Sequence, residues 1–173
     1  MQIQTSKDHQ QTLLKLAIQS ENFEVVKFLI QNGAEINAKV KDEMTPLHLA
    51  IATYNVKIVE LLVKNGADVN AVKELQMTPL HALCTLYYNF KIAVLLLQNG
   101  ADTKAKAGHT DDTPLHCAAR NGNLEFVELL LKYGARKDLK NKFNQMPWQA
   151  AEEIRGGPPD YWENLKKVIQ LLK

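Results

Sequence analysis

The sequence predicts an all-α stack of helix pairs, repeated five times along 173 residues, and three observations predict it. The tetrad Thr-Pro-Leu-His stands at Thr45–His48, Thr78–His81 and Thr113–His116, spaced by 33 and 35 residues. A Gly-Ala pair falls at Gly33, Gly66, Gly100 and Gly134, spaced by 33, 34 and 34. Between tetrad and pair, apolar residues recur at helical spacing. Self-similarity at such a period marks stacked units, none of which can bury its apolar face alone. Two worn copies extend the frame: Thr12-Leu13-Leu14-Lys15 before the first tetrad and Met146-Pro147-Trp148-Gln149 after the last.

Each element has a local cause. In Thr45-Pro46 the threonine is a helix N-cap, and the proline takes the first helical position, where a missing N–H costs nothing. A short first helix, about 46–53, carries Leu47, Leu49 and Ala50. A second, about 56–64, carries Ile58, Val59, Leu61, Leu62 and Val63 and stops at Asn65-Gly66, a left-handed stop signal. The third unit has one extra residue between its helices, near Leu86–Asn89, and the connection after Gly100 is also one residue longer. The fifth unit breaks frame at Arg155-Gly156-Gly157-Pro158-Pro159. Asp160 is then expected to N-cap a last helix, with Glu163 completing a capping box. Val168, Ile169, Leu171 and Leu172 face inward there, and Trp148, Tyr161 and Trp162 pack this atypical end. Gln10, Gln11, Lys15 and Gln19 make the first unit more polar, so both ends of the stack are expected to be capped.

Composition narrows the function. Hydrophobic residues make up 46%, which argues against a disordered chain. A net charge of +2, from 21 basic and 19 acidic residues, argues against a dedicated nucleic-acid binder or a polybasic membrane protein. No apolar run approaches the length of a membrane span. The opening MQIQTSKDHQQ lacks a secretory leader's apolar core. Cys84 and Cys117 are too few for a disulfide framework, so a reducing, cytoplasmic setting and a monomer are expected.

On the three Thr-Pro-Leu-His tetrads, LLLKYGA and LLVKNGADVNA, the chain resembles the ankyrin repeat family over about residues 9–173. The resemblance implies a single domain, 1–173, with units of about 9–40, 41–73, 74–107, 108–141 and 142–173. It also implies a curved solenoid of helix-turn-helix units with projecting β-hairpins, in which the tetrad histidine knits adjacent layers. One departure is systematic. The family's hairpin glycine, two residues before the threonine, is replaced by Gln10, Glu43, Gln76, Asp111 and Asn144. Either these residues take a positive φ or the turn is of another type. Asn37 and Asn70 fall where some animal ankyrin repeats are hydroxylated.

The residues that could carry chemistry read as structure. His48, His81 and His116 lie on successive layers, too far apart to share one metal. His81 and Cys84 share a helix face, but Cys84 fills a small buried slot where a thiol is inert; Cys117 fills another. No phosphate-binding loop or nucleophile motif appears, and no cofactor is expected. The acid pairs Asp111-Asp112 and Glu152-Glu153, and the basic run Lys132, Arg136, Lys137, Lys140 and Lys142, read as solvated surface.

The expected function is non-enzymatic recognition of another protein. The alternatives are a stoichiometric inhibitor of an enzyme such as a kinase, or a host-directed effector of an intracellular microbe or virus. The resemblance puts binding on the concave side, at hairpin tips and first-helix ends. In the first unit these are Asp8, His9, Gln11, Gln19 and Ser20. In the second they are Lys41, Asp42, Met44, Ala52 and Thr53, and in the third Glu74, Leu75, Met77, Thr85, Leu86 and the neighbouring Tyr87. In the fourth they are His109, Thr110, Asp112, Arg120 and Asn121, and in the fifth Lys142, Phe143 and Gln145. Met44, Leu75, Met77 and Leu86, with Tyr54 and Tyr87 nearby, are expected to form an apolar patch.

Overall fold

The computed structural model describes residues 7–39, 43–85, 89–154 and 159–173. Ten α-helices follow one another there in five pairs: α1 (Lys7–Gln19) with α2 (Phe23–Gln31), α3 (Pro46–Ala52) with α4 (Val56–Lys64), α5 (Pro79–Thr85) with α6 (Phe90–Gln98), α7 (Pro114–Arg120) with α8 (Leu124–Lys132), and α9 (Pro147–Glu152) with α10 (Pro159–Leu172). First helices stack on first helices along the chain, and among second helices α2 packs on α4, α4 on α6 and α8 on α10. The architecture is the all-α solenoid that the tetrads predict.

Proline sets the first helix of units two to five. Thr45 and Thr113 are extended (φ −88°, ψ 164° and φ −81°, ψ 165°), with Pro46 and Pro114 in the first helical turn. The second helices start on an asparagine that the tetrad pattern does not reveal. The side chains of Asn22, Asn55, Asn89 and Asn123 accept from the N–H groups of Val25, Ile58, Ile92 and Phe126 at 3.0–3.2 Å. This is a regular N-cap worth roughly 1 kcal/mol per helix. The core runs the length of the stack: Leu47, Ala50, Ile51, Ile58, Val59 and Leu62 in unit two and their equivalents Leu80, Leu83, Cys84, Ile92, Ala93 and Leu96 in unit three are buried.

The connections between units project as narrow turns. Among the described residues they hold single antiparallel bridges, Lys73 with Met77 and Ala107 with Asp112, rather than longer strands. The longer fourth-unit connection is explained here: its bridge encloses Gly108–Asp111, whereas the third encloses Glu74–Gln76, so the extra residue sits at the tip. Glu43, Gln76, Asp111 and Asn144 all have positive φ (56°, 59°, 54° and 62°), so the family's turn is kept without its glycine.

Both ends depart from expectation. Unit one has Leu13 where later units have proline, so nothing stops the helix from running upstream, and α1 begins at Lys7. Thr12 is therefore inside a helix, Gln10 is not a turn residue, and Asp8, His9 and Gln11 lie along α1 rather than on a hairpin tip. Nor is the first unit polar on its outer side: Leu13, Leu16, Val25 and Phe28 are exposed. The last helix starts at Pro159, so Asp160 is inside α10 and not its cap. The rest of that end is as expected. Leu165, Val168 and Leu172 are buried, and Trp148, Tyr161, Trp162, Ile169 and Leu171 pack against the core. Tyr161 Oη donates to the Arg120 carbonyl at 2.7 Å. Its ring lies over Gly122 (φ +61°), where an added Cβ would come within 3.1 Å.

Candidate partner-binding surface

Three buried histidines brace the first helices from inside. In each of units two to four, Nδ1 sits 2.8–2.9 Å from the threonine hydroxyl of its own tetrad. Nε2 reaches the carbonyl of Met77 from His48, of Asp112 from His81 and of Gln145 from His116, at 3.3, 3.1 and 2.9 Å. A carbonyl only accepts, so Nε2 carries the proton and Nδ1 accepts. Burial lowers all three pKa values, that of His48 to about 4. These rings link one unit to the foot of the next hairpin; they are neither ligands nor bases.

The hairpins are also tied to one another. Gly108 N–H donates to the Leu75 carbonyl and Lys142 N–H to the Thr110 carbonyl, both at 2.8 Å. Asn37 Nδ2 donates to Gly66 O while its Oδ1 accepts from Asp68 N, and Asn70 repeats this with Gly100 O and Asp102 N. The tips therefore form a laterally joined row.

That row has two chemical halves. In units two and three Leu75 stands out, 48% exposed, with φ 60° and ψ 27°. Glu74 beside it is exposed, while Met44 and Met77 are half-buried, Met44 packing against the core. Thr53 is turned toward its own helix, its hydroxyl donating to Ala50 O at 3.0 Å. Tyr54 is exposed. Lys41, Asp42, Leu86 and Tyr87 lie outside the described residues, which leaves Leu75, Met77, Met44 and Tyr54 of the expected apolar group to be placed.

Units four and five carry a polar network, with Phe143, 62% exposed, at the last tip. The sequence places Asp112 among solvated acids; the structure buries it. Arg120 pairs with Asp112 Oδ2 at 2.9 Å, and Asn141 Nδ2 donates to Oδ1 at 2.8 Å. Asn141 itself is buried, accepts from Phe143 N and Gln145 N, and adjoins Gln145, which reaches Glu153. A carboxylate with both oxygens filled is a brace, holding the partly exposed Arg120 in place. The network was hidden because its members are 8 and 29 residues apart. The one available signal was an acid standing in the slot of Met44 and Met77. His109, Lys142 and Phe143 are exposed at the tips.

Chemistry does not assemble around the cysteines. Cys84 is buried, its thiol donates to Leu80 O at 3.2 Å, and burial pushes its pKa up. Both nitrogens of His81 are occupied by Thr78 and Asp112, so that ring does not serve the thiol. Among the described residues no three His, Cys, Asp or Glu side chains are grouped to hold a metal. In the basic run, Arg136 pairs with Asp138 at 2.6 Å, and Lys137 donates to the Leu171 carbonyl. Among the described residues no helix is long and apolar enough to cross a membrane.

A family model described as ankyrin repeats (3 copies) matches residues 2–73 and 71–141. The chain belongs to the ankyrin repeat family. None of the curated proteins matches it. Ankyrin repeats are in general protein–protein interaction modules, and the ankyrin frame accounts for the tetrads, the histidine braces and the row of tips. The Asp112–Arg120–Asn141 network belongs to this chain's own fourth and fifth repeats.

Proposed function

We propose that this ankyrin repeat protein is a non-enzymatic binding module of a reducing, cytoplasmic setting, and that it holds a partner protein along the row of hairpin tips. The observation that carries this is Leu75. An exposed leucine in the left-handed region disfavours the chain twice, by roughly 1–2 kcal/mol of backbone strain and by an apolar side chain left in water. The Gly108–Leu75 hydrogen bond fixes it there. Such a rigid apolar tip, flanked by half-buried methionines that adapt to contact, suits a binding anchor. The polar half around Arg120 suits the partner's polar flank. Two cysteines, too few for a disulfide framework, are what a reducing setting leads one to expect.

The test is capture of partners from a lysate followed by mass spectrometry and affinity measurement on the partner found. Leu75→Ala with Met77→Ala is expected to weaken binding at least tenfold with little change in melting, and Lys142→Ala to change it little. Full retention of the partner by the double variant refutes the tip row as the site.

A further inference from the structure

Neither cysteine is placed for catalysis, yet the two are placed for each other. Cys84 lies on α5 and Cys117 on α7, the first helices of units three and four, which pack together. The Cys84 thiol sits over the first turn of α7, 3.2 Å from Leu80 O in its own helix and 3.4 Å from Pro114 O in the next. Cys117 is three residues on from Pro114, on the same side of α7, and the two thiols are in hydrogen-bonding contact. Cys84 is buried and Cys117 half-buried, so solvent reaches the pair from the Cys117 side. In other units the two slots hold Ile51, Ala119 and Ala151, and Leu49 and Ala82, so only this boundary sets thiol against thiol.

We propose that Cys84 and Cys117 are a reversible dithiol site, which hydrogen peroxide closes to a disulfide that staples unit three to unit four. Cys117 reacts first, being the sulfur that solvent reaches. Its sulfur takes one peroxide oxygen, the O–O bond breaks, and the other oxygen leaves as water with the thiol's proton. Cys84 Sγ then attacks the sulfenic sulfur of Cys117. The S–O bond breaks, and the hydroxyl leaves as a second water with the proton of Cys84. The sulfurs are oxidised to the disulfide, and the peroxide takes the two electrons. Contact between the sulfurs lets Cys84 trap the sulfenic acid before more peroxide carries it to the irreversible sulfinic acid. A disulfide needs the sulfurs at ~2.05 Å, so two packed helices must draw together, and the strained bond that results is readily reduced by thiols. The boundary is also where a staple has most effect. Among the described residues, α6 and α8 meet less closely than any other two successive second helices, so α5 and α7 carry much of the contact between units three and four. Closing the bond fixes the Leu75 half of the tip row against the Arg120 half.

The full chain, reduced and dilute, is treated with an equimolar amount of hydrogen peroxide and read by intact mass and by peptide mapping without reductant. The expected product has lost about 2 Da, holds a linked Cys84–Cys117 peptide, melts higher than the reduced chain and reverts fully with dithiothreitol. Cys84→Ala removes the second thiol, so Cys117 should stop at the sulfenic acid with a gain of about 16 Da. Cys117→Ala should leave Cys84 unreacted. Alanine fills both slots elsewhere in the stack, at Ala151 and Ala82, so both variants keep the fold. Four results overturn the proposal: a wild type of unchanged mass, a wild type oxidised at Cys117 with Cys84 still a free thiol, a covalent dimer joined through Cys117, or Cys84 reacting as fast in Cys117→Ala. An oxidised chain that melts lower than the reduced one overturns the staple.

Discussion

His81 Nε2 donates to the main-chain carbonyl of Asp112 at 3.1 Å, and the carboxylate of that same Asp112 holds Arg120 and Asn141. One residue thus takes a brace from the unit before it and, through Asn141, which accepts from Gln145 N, supports the hairpin that leads into the unit after it. The hydrogen bond requires a neutral ring whose only proton is on Nε2, because Nδ1 is committed as acceptor to Thr78. His48 and His116 make the same arrangement.

The protein should therefore lose stability in mild acid. Folding lowers these histidine pKa values, so between the ordinary 6.5 and the value of about 4 reached by His48, the unfolded chain binds more protons. The contribution is complete above pH 6.5 and is lost as pH falls toward 4. Each histidine in that window changes stability by at most about 1.4 kcal/mol per pH unit. Urea unfolding midpoints are expected to drop steadily from pH 7 to pH 4.5. Unit five supplies the control, because Gln149 fills the histidine slot and accepts the Met146 N–H at 2.9 Å. Replacing His48, His81 and His116 by glutamine should flatten the dependence, and a slope as steep as the wild type's would place the titration elsewhere.

The Asp112–Arg120 pair admits a sharper test, because unit three fills the same two positions with Met77 and Thr85. Asp112→Met alone strands Arg120 and Asn141 and is expected to cost on the order of 2 kcal/mol, less than a fully buried pair because Arg120 is 30% exposed. Asp112→Met with Arg120→Thr recreates the Met77 and Thr85 combination of unit three, and should recover most of that loss. Denaturant curves of both variants decide it: a double variant no better than the single would show that Asn141, rather than Arg120, holds the network together.

What was legible in the sequence followed repetition. Thr-Pro and Gly-Ala fix backbone geometry locally, so they report helix limits wherever they recur. The capping asparagines, Asn22, Asn55, Asn89 and Asn123, act as locally and recur as regularly, and were readable in the same way. Unit one was misread because its signal is an absence: with Leu13 in place of proline, the helix boundary depends on nothing local. Counting polar residues on α1 also missed that Leu13 and Leu16 share a face, and that α2 adds Val25 and Phe28 to it. Burial of Asp112 depends on Arg120 and Asn141, which only the stacking of helices brings near. Whether the hairpins needed a glycine was open because glutamate, glutamine, aspartate and asparagine tolerate positive φ to different degrees.

Those turns now give a graded prediction. Gln76 sits at φ 59° and Asn144 at φ 62°, the same place in two hairpins separated by that of Asp111. Asparagine tolerates the left-handed region through local hydrogen bonding of its short side chain, whereas glutamine has no such relief. Gln76→Gly should therefore stabilise by up to about 1 kcal/mol, the relief of strain being partly offset by glycine's freedom in the unfolded chain. Asn144→Gly should gain less than half of that. The offset is the same in both variants, so the difference between them isolates the strain. Leu75, at φ 60° next to Gln76, provides the functional counterpart: Leu75→Gly relieves strain too, but removes the exposed side chain assigned to the partner. It should raise the melting temperature and weaken binding together. Thermal melts of the three variants, with affinity measured on the last, check the whole set. A fall in stability for Gln76→Gly would mean that its side chain contributes more to the hairpin than its backbone strain removes.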